Sequence, residues 1–122
     1  PTESLTVLQG RAAGELIRER GGDARPDAVF AANDLLAMGV LQALMMLGTV
    51  RVPDDVALIG YDDIDFAQAA VVPLSSIRQP AALIGYTAVD LLLAEAAGDE
   101  RVAREPVVFQ PELIVRESTR TR

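Results

Sequence analysis

Stretches with helical spacing of apolar residues alternate with short continuous apolar runs along the 122-residue chain. The first helical stretch is predicted to begin at an N-cap provided by Thr2 or Ser4 and to stop at Gly21. The apolar stripe that this helix is expected to bury in the core consists of Leu5, Leu8, Ala12 and Leu16. Two further helices are predicted over residues 34–47 and 81–97, each followed by a glycine that ends it.

Two apolar runs, residues 28–32 and 56–59, are predicted to form strands. They show no alternation of polar and apolar positions, which is typical of strands covered on both faces by helices. A third strand is expected over residues 74–79, and two short extended pieces are expected at residues 107–109 and 113–115. The alternation of helices and strands predicts an α/β fold, a three-layer parallel sheet with helices on both faces.

The first two predicted strands end abruptly in polar side chains. Asn33 and Asp34 follow the first strand, and Asp62 and Asp63 follow the second. Because open α/β sheets bind ligands in the crevice at the carboxyl ends of their strands, function is expected at these four residues. Asp34 stands directly before a helix and is expected to be its N-cap, whereas Asp63 and Asp65 are expected to be solvated or turn residues.

The composition argues against several classes of function. Eleven basic and 18 acidic side chains give a net charge of -7. The chain therefore lacks the excess of positive charge with which proteins bind the phosphate backbone of nucleic acids. His and Cys are absent and every basic residue is Arg, so we expect no metal, no cofactor and no nucleophile–base pair. The longest apolar stretch, residues 35–48, is shorter than the roughly 20 residues of a membrane span, so no membrane partner is expected.

An enzyme has one specific argument in its favour. Asp63-Ile64-Asp65 superficially matches the Asp-x-Asp motif of phosphatases that form an aspartyl phosphate, and the acidic cluster is similar to that of magnesium-binding phosphotransfer receivers. Both chemistries generally place a lysine near the phosphoryl group, and this sequence has none. A phosphatase or phosphotransfer enzyme therefore remains only a remote alternative.

Four segments follow one another in a specific order. They are residues 30–39, with Ala-Ala-Asn-Asp at their centre; residues 52–63, from Val-Pro-Asp-Asp to Gly-Tyr-Asp-Asp; residues 73–80, Pro-Leu-Ser-Ser-Ile-Arg-Gln-Pro; and residues 111–119. In this order and at this spacing they closely resemble the LacI/GalR family of bacterial transcription regulators. The resemblance covers essentially the whole chain.

The resemblance implies a periplasmic-binding-protein-like domain of type I, of which this chain is a carboxyl-terminal fragment. Family members begin with a helix-turn-helix DNA-binding domain, which is absent here, and continue with a two-lobed effector-binding core. Residues 1–79 are expected to belong mainly to the carboxyl-terminal lobe, residues 80–110 to cross to the other lobe and residues 111–122 to form a return strand. The protein is expected to be cytoplasmic and to bind operator DNA through the absent domain.

The resemblance also implies roles for individual residues. Asp62, the first Asp of Gly-Tyr-Asp-Asp, and Asn33 correspond to effector contacts, and Tyr61 is expected to line the same pocket. Gln79 lies beside Arg78 where the family's chain crosses between the lobes, so both are expected at the hinge or the cleft. The effector would be a sugar or a nucleoside, and no catalytic residue is expected.

The helix predicted over residues 34–47 carries almost no polar side chain beyond its first residue, with Gln42 as the exception. A helix that is apolar all round is normally buried on more than one side, so this one needs a second partner besides the sheet. In the resembling family the corresponding helix helps to form a homodimer interface. The candidates for that interface are Met38, Leu41, Met45 and Met46. The alternative is that another part of the same chain covers the helix.

The favoured function is therefore the effector-sensing part of a dimeric, ligand-controlled transcription regulator. The nearest rival is the sugar-binding component of a transport system, which shares the two-lobed fold and the crevice. The ending over residues 113–119 and the dimer-like helix favour the regulator. A basic helix-turn-helix upstream would indicate a regulator, and a signal peptide would indicate transport.

Overall fold

A computed structural model describes residues 4–98 and 106–120. The chain divides into two compact units. The first contains the residues up to Arg78 together with those from Leu113 onward, and the second is Gln79–Glu112.

The regular elements alternate as the sequence predicts. The helices are α1 (Val7–Glu19), α2 (Asp34–Met45), α3 (Asp65–Gln68) and α4 (Ala81–Ala96), and the strands are β1 (Ala28–Phe30), β2 (Ala57–Tyr61), β3 (Ser75–Arg78) and β4 (Glu112–Ile114). Short 3-10 turns occupy Gly22–Ala24 and Glu117–Thr119.

The four strands form one sheet in the order β1-β2-β3-β4. β1 pairs in parallel with β2, with Val29 opposite Leu58, and β2 pairs in parallel with β3, with Gly60 opposite Ser76. The predicted parallel sheet of an α/β protein is thereby confirmed. Because these strands run the same way, the polar residues that follow them meet at one edge of the sheet.

The hydrophobic core of the first unit lies between α2 and the sheet. Its fully buried apolar side chains come from both elements and from the segments that flank β2 and β3, and the largest are Leu44, Leu58, Leu74 and Val56. Burial of one such side chain contributes about 1.5–3 kcal/mol relative to leaving it exposed. α2 is thus anchored on the strands whose ends carry the polar residues.

The packing of α1 differs from the prediction. Leu8 is 77% exposed and Leu16 is 62% exposed, so the leucine stripe expected in the core does not reach it. The buried residues of α1 are instead Gly10 and Gly14, which lie against the backbone of α2. The reason is steric, because a glycine surface lets two helix backbones approach more closely than leucine side chains would allow.

Two local predictions are also wrong. The N-cap of α1 is Thr6, whose hydroxyl accepts from the Gln9 N–H at 3.3 Å, and not Thr2 or Ser4. α2 ends at Met45, two residues earlier than expected. Near the carboxyl end, the second of the two expected extended pieces forms β4, and residues 107–109 belong to no helix or strand.

The second unit contains α4, which matches the helix predicted over residues 81–97 to within one residue. None of its residues is buried, although most of them are apolar. Within the described ranges, 4–98 and 106–120, no helix has both the length and the apolar character needed to span a bilayer.

Candidate functional site

The carboxyl ends of β1, β2 and β3 bring together the polar residues that the sequence analysis selected. Asn33 and Asp34 follow β1, Asp62 and Asp63 follow β2, and Arg78 ends β3. This is the edge at which open α/β sheets bind their ligands, so we describe it as the candidate site.

Asn33 is the N-cap of α2, in an extended conformation that precedes the first turn. Its Oδ1 accepts from the Leu36 N–H at 2.9 Å, and its Nδ2 donates to the Leu5 carbonyl at 3.2 Å. The prediction that Asp34 is the cap is therefore wrong by one residue. The amide of Asn33 keeps one donor hydrogen and one lone pair beyond these two bonds, which is the capacity left for any ligand.

Asp34 is a fully buried carboxylate at the start of α2. Its Oδ1 accepts from the Ser76 hydroxyl at 2.7 Å, and its Oδ2 accepts from the Ile64 N–H at 2.9 Å. Burial raises the pKa of Asp34 above its ordinary value, while these two hydrogen bonds oppose that rise. The side chain therefore connects α2, β3 and the segment after β2 in the protein interior.

The turn after β2 has an unusual backbone. Asp62 has a φ of 99° and Asp63 a φ of 51°. Both values lie in the left-handed region, which residues other than glycine rarely adopt. Each such residue costs on the order of 1–3 kcal/mol and persists only when its surroundings hold it in place. Asp62 itself is exposed.

Asp63 lies in the turn after β2, as one of the two expected alternatives, but it is not solvated, because its side chain is only 3% exposed. Its Oδ2 accepts from Arg78 at 2.7 Å and its Oδ1 from Arg116 at 2.6 Å. Burial raises the pKa of this carboxyl, but the hydrogen bonds from the two arginines outweigh burial and hold the pKa below its ordinary value. Asp63 therefore stays ionised and cross-links the ends of β2 and β3 to the chain after β4.

A polar cavity of about 210 Å³ lies beside this ion-pair cluster. Its lining residues are Asp63, Ile64, Asp65, Gln68, Arg78 and Arg116. Carboxylate, amide and guanidinium groups can exchange hydrogen bonds with ligand hydroxyls. Among the described residues, no group of three His, Cys, Asp or Glu is arranged to hold a metal ion.

The two remaining predicted site residues are Tyr61 and Gln79. Tyr61 is the last residue of β2 and is half-buried. Gln79 directly follows β3 and opens the second unit, where its carbonyl accepts from the Ala81 N–H at 2.8 Å. Their roles as effector contacts, like those of Asn33 and Asp62, stay predictions.

The four candidate dimer residues line one apolar groove of about 630 Å³. Met46 is 57% exposed, Met38 and Met45 are half-buried, and Leu41 is 4% exposed within the core. Ala69, Ala70 and Val71 form the opposite wall. Another side of α2 is covered by α1 of the same chain. On that side, the second partner of the helix is therefore the chain itself and not a second protomer. The groove is accessible, and so is Leu35 at the start of α2, which is 40% exposed and does not line the groove.

Another groove in the first unit lies at the other end of the strands. It measures about 740 Å³ and is lined mainly by the segments that precede β2 and β3. Its charged groups are Arg51, Asp54, Glu117 and Arg120. Since ligands of open α/β sheets bind at the carboxyl ends, the edge that carries Asn33, Asp62 and Asp63 is the better candidate site. Of these three residues, only Asp63 lines the polar cavity of about 210 Å³.

Sequence reasoning missed Ser76 and Arg116 as parts of this site. Ser76 stands in β3, a strand with a neighbour on each side, where a polar residue is unexpected and therefore signals a buried hydrogen-bonding partner. Arg116 carries no local signal, because its partner Asp63 is 53 positions away in the sequence.

Residues 2–119 match the family model described as a periplasmic binding protein-like domain. The chain is 41% identical over 96 residues to the HTH-type transcriptional repressor PurR of Photobacterium profundum, and the alignment covers 79% of this chain and 28% of that protein. The chain therefore spans little more than a quarter of the length of this curated relative.

Two solved structures of regulators share the fold. A LacI family transcriptional regulator from Lactobacillus casei with bound sucrose has a TM-score of 0.79 and 34% identity, over 93% of this chain and 41% of that chain. The lac repressor dimer bound to operator and the anti-inducer ONPF has a TM-score of 0.82 and 29% identity, over 93% of this chain and 38% of that chain.

Proposed function

The chain belongs to the family of periplasmic binding protein-like domains and is part of a LacI/GalR-type effector-binding domain, and from that premise we propose that it senses a sugar or nucleoside for a transcription regulator. The observation that carries the proposal is the exposed Asp62 at the carboxyl end of β2, in a backbone conformation that its surroundings must hold. A carboxylate at this position can accept hydrogen bonds from ligand hydroxyls.

In this proposal the effector contacts are the residues predicted from the sequence, namely Asp62, Asn33, Tyr61 and Gln79. Residues 1–79 belong mainly to the carboxyl-terminal lobe, residues 80–110 cross to the other lobe, and residues 111–122 form the return strand. The effector must bind the two states of the regulator with different affinity, because only a difference in affinity shifts their populations. No side chain of this set acts as a catalyst, so the proposed protein is not an enzyme.

The partners of the whole regulator follow from its relatives. The lac repressor structure is described as a dimer bound to operator, and we propose the same partners for the protein that contains this chain, with DNA bound outside these 122 residues. We propose further that Met38, Leu41, Met45 and Met46 line the homodimer interface. A regulator of this kind works on DNA, which makes the cytoplasm its proposed location.

Calorimetric titration of the complete regulator tests the effector site. The panel is glucose, sucrose, cellobiose, adenosine and guanosine, and at least one compound should bind the unsubstituted protein. Asp62→Ala should weaken that binding by roughly 2 kcal/mol, about thirty-fold, which is the scale of losing hydrogen bonds to a charged group. Asp23→Ala is the control, since Asp23 is an exposed aspartate in a 3-10 turn away from the strand ends.

Two results would contradict the proposal. Unchanged affinity in a folded Asp62→Ala protein would remove Asp62 from the site. An equal loss in Asp23→Ala would mean that the effect of Asp62 reflects net charge alone.

A further inference from the structure

The backbone N–H groups of three successive residues after β2 each have a fixed acceptor. Asp62 N–H donates to the Ile77 carbonyl at 2.9 Å, Asp63 N–H to the Ser76 hydroxyl at 3.1 Å, and Ile64 N–H to the Asp34 carboxylate at 2.9 Å. All three acceptors lie on β3 or α2, so elements distant in sequence hold this segment.

The second and third of these hydrogen bonds form one relay. The Ser76 hydroxyl donates to Asp34 Oδ1 at 2.7 Å. With its hydrogen directed at Asp34, the Ser76 oxygen turns a lone pair toward the Asp63 N–H. The same carboxylate uses its other oxygen for Ile64. A single buried group at the start of α2 therefore fixes two backbone amides, one directly and one through a hydroxyl.

We propose that Asp34 and Ser76 are positioning residues that hold the turn after β2, in which Asp62 and Asp63 have left-handed backbone conformations, and so present the exposed Asp62 carboxylate to the effector. This inference rests on the proposed function of Asp62. Neither residue needs to touch the effector, because Asp34 and Ser76 are both fully buried.

The alternative is that the relay only stabilises the fold. A merely structural hydrogen bond would lower the free energy of unfolding without any specific effect on the turn or on ligand affinity. Ser118 provides the matched case. It is a fully buried serine that accepts from the Ser75 N–H at 2.8 Å and donates to the Leu58 carbonyl at 2.5 Å, and neither partner belongs to the turn.

The first experiment needs no ligand. Amide hydrogen exchange is measured by NMR in Ser76→Ala, Asp34→Asn and the control Ser118→Ala, together with the three-bond HN–Hα coupling of Asp62, which reports its φ. Ser76→Ala should speed exchange at Asp63 at least ten-fold, Asp34→Asn should do so at both Asp63 and Ile64, and both should shift the Asp62 coupling. Ser118→Ala should leave the exchange of both amides within two-fold and the coupling unchanged.

The second experiment titrates the same variants of the complete regulator with the glucose, sucrose, cellobiose, adenosine and guanosine panel. Ser76→Ala should weaken the binding of the tightest panel compound about ten-fold, while Ser118→Ala should change it less than two-fold. Ser76→Thr keeps a hydroxyl and should restore both the affinity and the protection of Asp63. Asp34→Asn keeps the volume of the side chain, so it tests the positioning role even if Ser76→Ala fails to fold.

The outcomes separate the two ideas. Loss of affinity in Asp62→Ala but not in Ser76→Ala or Asp34→Asn would overturn the positioning role and leave the proposed function intact. Unchanged amide exchange and coupling in both variants would overturn it as well. If the exchange changes as expected but Asp62→Ala binds normally, the relay holds the turn as described and the proposed effector site is wrong.

Discussion

Gly60 of β2 stands directly against the buried carboxylate of Asp34. A Cβ on Gly60 would overlap Asp34 Oδ1 and would lie 3.2 Å from the Leu74 side chain. Gly60 is the glycine of the Gly-Tyr-Asp-Asp motif, and Asp34 is the last residue of the Ala-Ala-Asn-Asp segment. The missing side chain in one motif therefore leaves room for the Asp34 carboxylate of the other. The two motifs are coupled by packing as well as by hydrogen bonds.

Gly60→Ala should consequently destabilise the protein by about 1–3 kcal/mol, because the added methyl group must displace a hydrogen-bonded carboxylate in a well-packed interior. Urea unfolding measures the loss. In an Asp34→Ala background the same substitution should cost less, since the obstructing oxygen is gone. Gly21→Ala is the control, as nothing lies within 4 Å of a Cβ at Gly21 and its φ is negative. Equal effects at positions 60 and 21 would contradict the steric explanation.

Gly39 performs a similar role where α2 meets α1. A Cβ at this position would collide with the backbone of Val7 and Arg11, which cannot move aside without separating the helices. Gly39→Ala should therefore lower the free energy of unfolding by about 1–3 kcal/mol despite the higher helix propensity of alanine. Gly85→Ala in α4 has open space around it and should be neutral or slightly stabilising. A stabilising effect of Gly39→Ala in urea unfolding would show that the two helices are not in close contact.

The pair Arg51 and Asp55 makes a prediction about pH. Asp55 accepts from the Arg51 side chain at 2.8 Å and from the Arg51 N–H at 2.8 Å, and the side-chain bond is the larger cause of a pKa of about 2 against an ordinary 3.8. A carboxyl whose pKa is lower in the folded state stabilises the protein above the unfolded pKa. That contribution is lost as pH falls from about 3.8 to about 2.

Arg51→Gln should raise the pKa of Asp55 toward its ordinary value, without a complete return because the backbone N–H of residue 51 remains. An NMR titration of the Asp55 carboxyl carbon measures this shift. Between pH 4 and pH 2, the free energy of unfolding should also depend less steeply on pH. Arg20→Gln is a control on an exposed arginine at the end of α1. The same shift of Asp55 in Arg20→Gln would mean that long-range charge, not the hydrogen bond, sets the pKa.

The sequence predicted most of the alternating elements because their signals are local. β2, β3, α2 and α4 lie within two residues of their predicted bounds, since apolar runs, strand-ending polar residues and helix-ending glycines are read within a few positions. The ends of β1 and β2 were also correctly identified as the edge where the polar residues gather. These features depend on short-range periodicity, which tertiary packing did not override here.

The errors share a different physical origin. The leucine stripe of α1 has helical periodicity, but its glycine face fits α2 more closely, and periodicity alone cannot compare two faces of one helix. The buried network was missed because its partners are far apart in sequence. Asp34 and Ser76 are separated by 42 positions, and only the folded sheet brings them to 2.7 Å.

The apolar groove of about 630 Å³ beside α2 is the basis of a prediction about assembly. Met46 lines the groove, while its neighbour Leu47 is 64% exposed and does not. If the groove is the proposed homodimer interface, Met46→Glu places a charge in a desolvated contact and should weaken the dimer strongly, whereas Leu47→Glu should not. Light scattering coupled to size exclusion should report twice the protomer mass for the unsubstituted regulator and for Leu47→Glu at micromolar concentration. Met46→Glu should fall toward the protomer mass. A monomeric unsubstituted protein, or an equal loss of mass in both variants, would show that the groove is not the interface.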